Sequence, residues 1–112
     1  MTTEVNPAFV RIQVARVAHM LEDASSAPDT WLSASELARL QRLKIANRRD
    51  QFLSGHWLVR FLLSQHFGTP PSAWQLVERT NLPPAVLGFD DVQISISHSG
   101  EWVAAIDRKS VV

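Results

Sequence analysis

Hydrophobic and polar positions alternate near both ends of this chain and cycle with a helical period between them. Val10, Ile12 and Val14 are interleaved with Arg11 and Gln13, the period-two pattern of a half-buried strand over 9–17. Val92, Ile94 and Ile96 alternate with Gln93, Ser95 and Ser97, and Trp102, Ala104 and Ile106 alternate again. These runs flank His98-Ser99-Gly100-Glu101 and predict an antiparallel hairpin with a Gly-containing turn. Trp74–Glu78 reads as a short strand, and Asn81-Leu82-Pro83-Pro84 as a turn or extended loop. Glu22–Thr30, rich in Ala, Ser, Asp and Pro, reads as a loop.

Two helices fill the interval. Ser33-Ala34-Ser35-Glu36 has the spacing of a capping box, and Leu37, Leu40 and Leu43 follow, so a helix is expected over about 34–45. Asn47 to Phe67 predicts a longer one, closed by Gly68 and stopped by Pro70-Pro71. Its apolar residues lie nearly all round, as in a central, buried helix. Gly55 in its middle is poor by propensity and predicts close approach of another backbone. The order β–α–α–β–β–β gives an α+β fold in which a long central helix packs on a small antiparallel sheet.

Length and composition bound this picture. A chain of 112 residues, 46% hydrophobic, makes a single domain over 1–112. No apolar run is long enough to span a bilayer, and no signal-peptide pattern opens the chain, which fits a cytoplasmic protein. With no Cys there is neither a disulfide framework nor a thiolate site.

The zero net charge conceals an uneven distribution. Residues 1–38 hold two bases against five acids, a balance of −3; residues 51–112 hold four against five, or −1. Between them, 39–50 carries Arg39, Arg42, Lys44, Arg48 and Arg49 against Asp50 alone, or +4. This segment is either a solvated helix face or an anion-binding surface. On the long helix, Arg49, His56 and Arg60 fall within a narrow stripe. The arginines can pair with acids and the histidine can be a satisfied core residue. Three potential cations on a buried helix nonetheless call for an anion, which a phosphate-bearing ligand would supply.

Other chemistries lack support. There is no G-x-S-x-G elbow, P-loop or dinucleotide fingerprint, and Ser97 and His98 point to opposite faces of a strand. The four histidines are scattered, and His56 and His66 are too far apart on the helix to share a metal.

Three motifs carry a more specific signal: Leu32-Ser33-Ala34-Ser35-Glu36; Arg48-Arg49-Asp50-Gln51-Phe52-Leu53-Ser54-Gly55-His56-Trp57-Leu58-Val59-Arg60; and Ile94-Ser95-Ile96-Ser97-His98-Ser99-Gly100-Glu101-Trp102-Val103. In this order and spacing the chain resembles, over about residues 30–107, the N-terminal half of Sfp-type 4′-phosphopantetheinyl transferases, in the holo-acyl-carrier-protein synthase superfamily. Those enzymes move phosphopantetheine from coenzyme A to a serine of an acyl or peptidyl carrier protein, in fatty acid, polyketide or nonribosomal peptide biosynthesis. The resemblance implies that His98 contacts the coenzyme A phosphates and that Ser97 lies at the nucleotide pocket. It also implies that Arg48 and Arg49 hold the nucleotide's phosphates, and His56 completes the set of candidate coenzyme A-binding residues.

Departures from the family pattern accompany the match. Gln51 and His56 stand where many members have Arg, and Asn81-Leu82-Pro83 replaces a G-K-P turn. The G-[IV]-D-x-E strand that holds Mg²⁺ in the family would begin about where the sequence stops, at Ser110-Val111-Val112, and Asp107 lies before it. The resemblance therefore implies a half-molecule with no catalytic residue and no metal ligand of its own, inactive alone. Its partners would be a carrier protein and either a missing C-terminal half or further copies of itself. The competing expectation is a non-enzymatic module that binds nucleic acid through the cationic 39–50 segment.

Overall fold

The computed structural model describes residues 8–28 and 30–109. The chain runs β1 (Phe9–Arg16), α1 (Val17–Ser25), α2 (Ala34–Arg42), α3 (Ala46–Phe67), a 3₁₀ turn (Pro71–Ala73), β2 (Leu76–Arg79), β3 (Leu82–Val86), β4 (Val92–Ser99) and β5 (Trp102–Lys109). The strands form one antiparallel sheet ordered β1-β5-β4-β3-β2. The expected α+β architecture, a long helix on a small antiparallel sheet, is the one observed.

The pattern of α3 explains its place. Leu58, Val59, Leu62 and Leu63 meet Ile94, Val103 and Ala105 of the sheet. On its other side Trp57 joins Ala24 of α1 and Trp31, and its indole Nε1 donates to Asp23 Oδ2 at 2.7 Å. Covered from both sides, the helix is apolar nearly all round. At Gly55 it packs closely on the sheet: a Cβ there would stand 2.5 Å from Ile96 Cγ2. The close approach is made by sheet side chains rather than by a backbone. Gly68, with φ of 77°, closes the helix in the left-handed conformation.

Several expectations are corrected. Part of the expected Glu22–Thr30 loop is helix, since α1 extends to Ser25; its signal is Val17, Met20, Leu21 and Ala24 at helical spacing. Asn81 makes a tight turn with φ of 59°, and Leu82-Pro83-Pro84 then enters strand β3. The largest correction concerns β1, whose faces are reversed. Val10, Ile12 and Val14 are 68%, 65% and 54% exposed, while Arg11 turns inward to a bidentate pair with the fully buried Asp107. Arg11 sits opposite Asp107 in the β1–β5 register, and this cross-strand ion pair fixes the inward face.

The edge at β2 is docked by α2. The capping box forms as expected, with Glu36 N–H donating to Ser33 Oγ and Ser33 N–H to Glu36 Oε1. Ser33 Oγ then donates to the Leu76 carbonyl, and Ser35 Oγ accepts from Glu78 N–H. Among the described residues no helix is long and apolar enough to cross a membrane.

Candidate functional site

The polar stripe of α3 divides into parts with different fates. At its buried end Arg60, fully inaccessible, donates to both oxygens of the equally buried Glu36 at 2.7 and 2.5 Å. It also donates to the carbonyls of Trp74 and His56, and its guanidinium lies 4.8 Å over the Trp31 ring. At the N-terminal end Arg49 donates to the carbonyls of Leu40 and Leu43, satisfying the C-terminal turn of α2. In these two places the compensating groups belong to the chain itself. The argument from the stripe to an external anion therefore fails for Arg49 and Arg60.

His56 lies between them. Its Nε2 meets Glu78 Oε1, and its Nδ1 lies 2.8 Å from the Phe52 carbonyl. Both ring nitrogens thus face acceptors, and Phe52 stacks on the ring at 3.9 Å between centroids. Glu78 reaches it because the β2–β3 register shifts between Val77 and Arg79, an irregularity that re-aims the intervening side chain. Burial pushes the Glu78 carboxyl upward. The hydrogen bond and charge of His56, with Arg39 and Arg60 beyond, outweigh that effect and hold it below its ordinary value of 4.5.

Above this pair opens a cleft of about 380 Å³ between α2, the start of α3, β3 and β4. Arg39, Arg48, His56 and His98 supply its basic groups, Glu78 its one carboxylate, and Phe52, Pro83 and Pro84 part of its apolar wall. Strand alternation brings His98 to the helix-facing side with Ile94 and Ile96, and turns Ser97 the other way. Of the five residues expected to bind coenzyme A, three (Arg48, His56 and His98) meet in this cleft; Arg49 and Ser97 do not line it. Arg39 and Glu78 were missed. Arg39 lay within the cationic segment without being distinguished from its neighbours, and no local pattern marks Glu78, which depends on the irregular strand.

The cleft suits an anion. Arg48 and His98 form no ion pair among the described residues, so positive charge lines a concave surface with apolar flanks. The described residues do bring Glu36, His56 and Glu78 within 4.8 Å of one another. Glu36, however, gives both oxygens to Arg60, and His56 and Glu78 bond each other. A guanidinium beside these donors makes a poor site for Mg²⁺, which prefers an all-oxygen octahedron.

No family model matches this sequence, and no curated protein matches it. Solved structures do. A holo-(acyl-carrier-protein) synthase from Bacillus anthracis in complex with CoA (3′,5′-ADP) superposes with a TM-score of 0.71 at 17% identity, over 92% of this chain and 96% of that one. The ACPS–CoA complex from Chronobacterium ammoniagenes gives 0.64 at 20% identity, over 96% and 99%. The acyl carrier protein synthase of Mycobacterium tuberculosis gives 0.57 at 16%, over 92% and 96%. The chain thus has the fold of holo-acyl-carrier-protein synthases and spans nearly the whole length of these solved chains.

Proposed function

We propose that this chain binds coenzyme A in the α2–α3–β3–β4 cleft and serves as the nucleotide-holding part of a phosphopantetheinyl transferase. The observation that carries the reading is the convergence of Arg39, Arg48 and His98 on one cleft, within a fold whose similar structures include two CoA complexes. Arg48 and His98 neutralise phosphate oxygens, and Arg39 adds charge at the rim. Phe52, Pro83 and Pro84 offer apolar surface to the rest of the nucleotide. The Glu78–His56 pair fixes the cleft floor and keeps the imidazole in one orientation.

In the transfer, a carrier-protein serine Oγ bonds to the β-phosphorus as the bond from that phosphorus to the bridging oxygen breaks, and 3′,5′-ADP departs. The serine proton needs a base, and the family reaction needs a divalent ion. The described residues do not fit that ion, so this chain's part is to bind and orient. A second body, either a C-terminal half or a further copy, supplies the remainder. The exposed stripe of Val10, Ile12 and Val14 supports such a body, because apolar surface of this kind is normally covered.

Calorimetric titration with coenzyme A tests the reading. Saturable binding is expected, weakened about tenfold or more by Arg48→Ala or His98→Ala. Heat absent at millimolar ligand, or salt-sensitive binding of DNA or RNA in its place, would overturn it. Mass spectrometry of an apo carrier protein incubated with CoA, Mg²⁺ and the chain alone, diluted until light scattering shows a monomer, is expected to show no added phosphopantetheine; modification at an enzyme-like rate by the monomer would refute the division of labour.

A further inference from the structure

His56 is flanked by two groups that only accept. Its Nε2 faces the Glu78 carboxylate, and its Nδ1 the Phe52 carbonyl at 2.8 Å. A neutral imidazole has one N–H and one lone pair, whereas the imidazolium donates from both nitrogens. The arrangement is therefore complete only with the ring charged. Once the ring loses a proton, one of the two contacts sets lone pair against lone pair, and the ion pair with Glu78 is gone.

The carboxylate on the other side of that bond is lightly held. Among the described residues, the bond to His56 is the one hydrogen bond of the Glu78 side chain. That side chain stays 15% exposed, unlike the sealed Glu36. It is also the one carboxylate lining a cleft that holds Arg39, Arg48 and His98. The charge of Arg39 acts on Glu78, yet the two form no ion pair. Glu36 lies within 4.8 Å of the His56–Glu78 pair, but Arg60 already neutralises it. Glu78 and an anion entering the cleft thus compete for the same cations.

We propose that His56 is a proton-operated restraint on the cleft. As imidazolium it keeps Glu78 on the floor, clear of an incoming phosphate. As neutral imidazole it frees Glu78 to turn toward Arg39 and Arg48 as an internal rival anion. The inference rests on the coenzyme A reading above and adds regulation to it. Histidine suits the task because its charge ordinarily changes between about pH 5 and pH 8. Glu78 stays ionised over that interval, its carboxyl being held below 4.5. Rising pH therefore weakens anion binding, by the loss of one positive charge and the release of a competitor.

Glu78→Gln tests this, because it keeps the shape and the hydrogen bond and removes the rival charge. Coenzyme A is titrated by calorimetry into the wild-type chain and the variant, at about pH 5.5 and about pH 8.5. His98 and the ligand's own phosphates are common to both proteins at each pH and drop out of the comparison. The variant is expected to bind more tightly than the wild type, with an advantage that grows to about tenfold at the higher pH. A support removed from the floor would weaken binding, so a gain marks a competitor. Equal or weaker binding by Glu78→Gln at the higher pH, or an advantage identical at both, overturns the proposal and leaves the cleft reading intact. On the unaltered chain, long-range ¹⁵N–¹H spectra are expected to show both His56 ring nitrogens protonated at the lower pH and one at the higher. A ring that keeps one state across this interval also overturns the proposal. Failure of coenzyme A to bind either protein at either pH overturns it together with the cleft reading.

Discussion

The buried and open parts of the polar surface around α3 use the same residue types to opposite ends. At Arg60 the guanidinium is sealed against Glu36, two carbonyls and an indole face, and no surface is left for a ligand. At the cleft, Arg48 and His98 reach open space with no acid paired to them among the described residues. Residue type alone does not tell the two apart. Whether the fold brings a carboxylate to the charge decides between a structural cation and a binding one.

The sharpest way to break this contrast is to remove the structural acid. Glu36→Ala strands a buried guanidinium and also deletes the capping box, so a loss of about 3–5 kcal/mol is expected, read as a lower urea midpoint. Near wild-type stability would show that Arg60 escapes to water and that the buried end is not distinct. Next in size is Gly55→Ala, whose methyl would collide with the β-branched Ile96 of the sheet. A cost of about 1–3 kcal/mol is expected, reduced when Ile96→Ala is added, in thermal melts of single and double variants.

The Glu78–His56 pair lies between the extremes and sharpens the comparison by pH. Because the folded carboxyl lies below 4.5, its contribution is present above pH 4.5 and is lost as pH falls through the lower folded value. Glu78→Gln is therefore expected to flatten the acid limb of the stability profile, and an unchanged limb would remove the pair from the account. The smallest effect on stability belongs to the cleft. Arg48→Ala and His98→Ala are expected to change unfolding free energy by no more than about 0.5 kcal/mol, whatever they do to the proposed ligand binding. A loss of several kcal/mol at either residue would make it structural like Arg60.

These contrasts also mark what could be read from the residues. Local signals were legible: the Ser33–Glu36 box, the span and cap of α3, and the hairpin whose strand carries His98. Properties that depend on distant partners were not. Alternation correctly gave β1 as a strand but not which face turns inward, because Asp107, the acid that draws in Arg11, is 96 residues away. The stripe of Arg49, His56 and Arg60 was visible, whereas its anions come from α2 and β2 and the carbonyls that occupy Arg49 from the end of α2. The cleft was legible as far as Arg48, His56 and His98. Its shape depends on Pro83-Pro84 entering a strand, where a turn or extended loop was the natural reading.

The serine contacts at β2 have a consequence for how copies of this chain can associate. A sheet polymerises through its edges only if both are open, since each added molecule must offer a second edge to the next. Here Ser33 and Ser35 occupy backbone groups of β2, so among the described residues β1 is the outer strand without such cover. Two chains joined β1 to β1 about a twofold axis each spend that edge and have none left to extend. A pair of hydroxyls thus acts as a chain terminator: any association through the sheet edges would stop at two molecules.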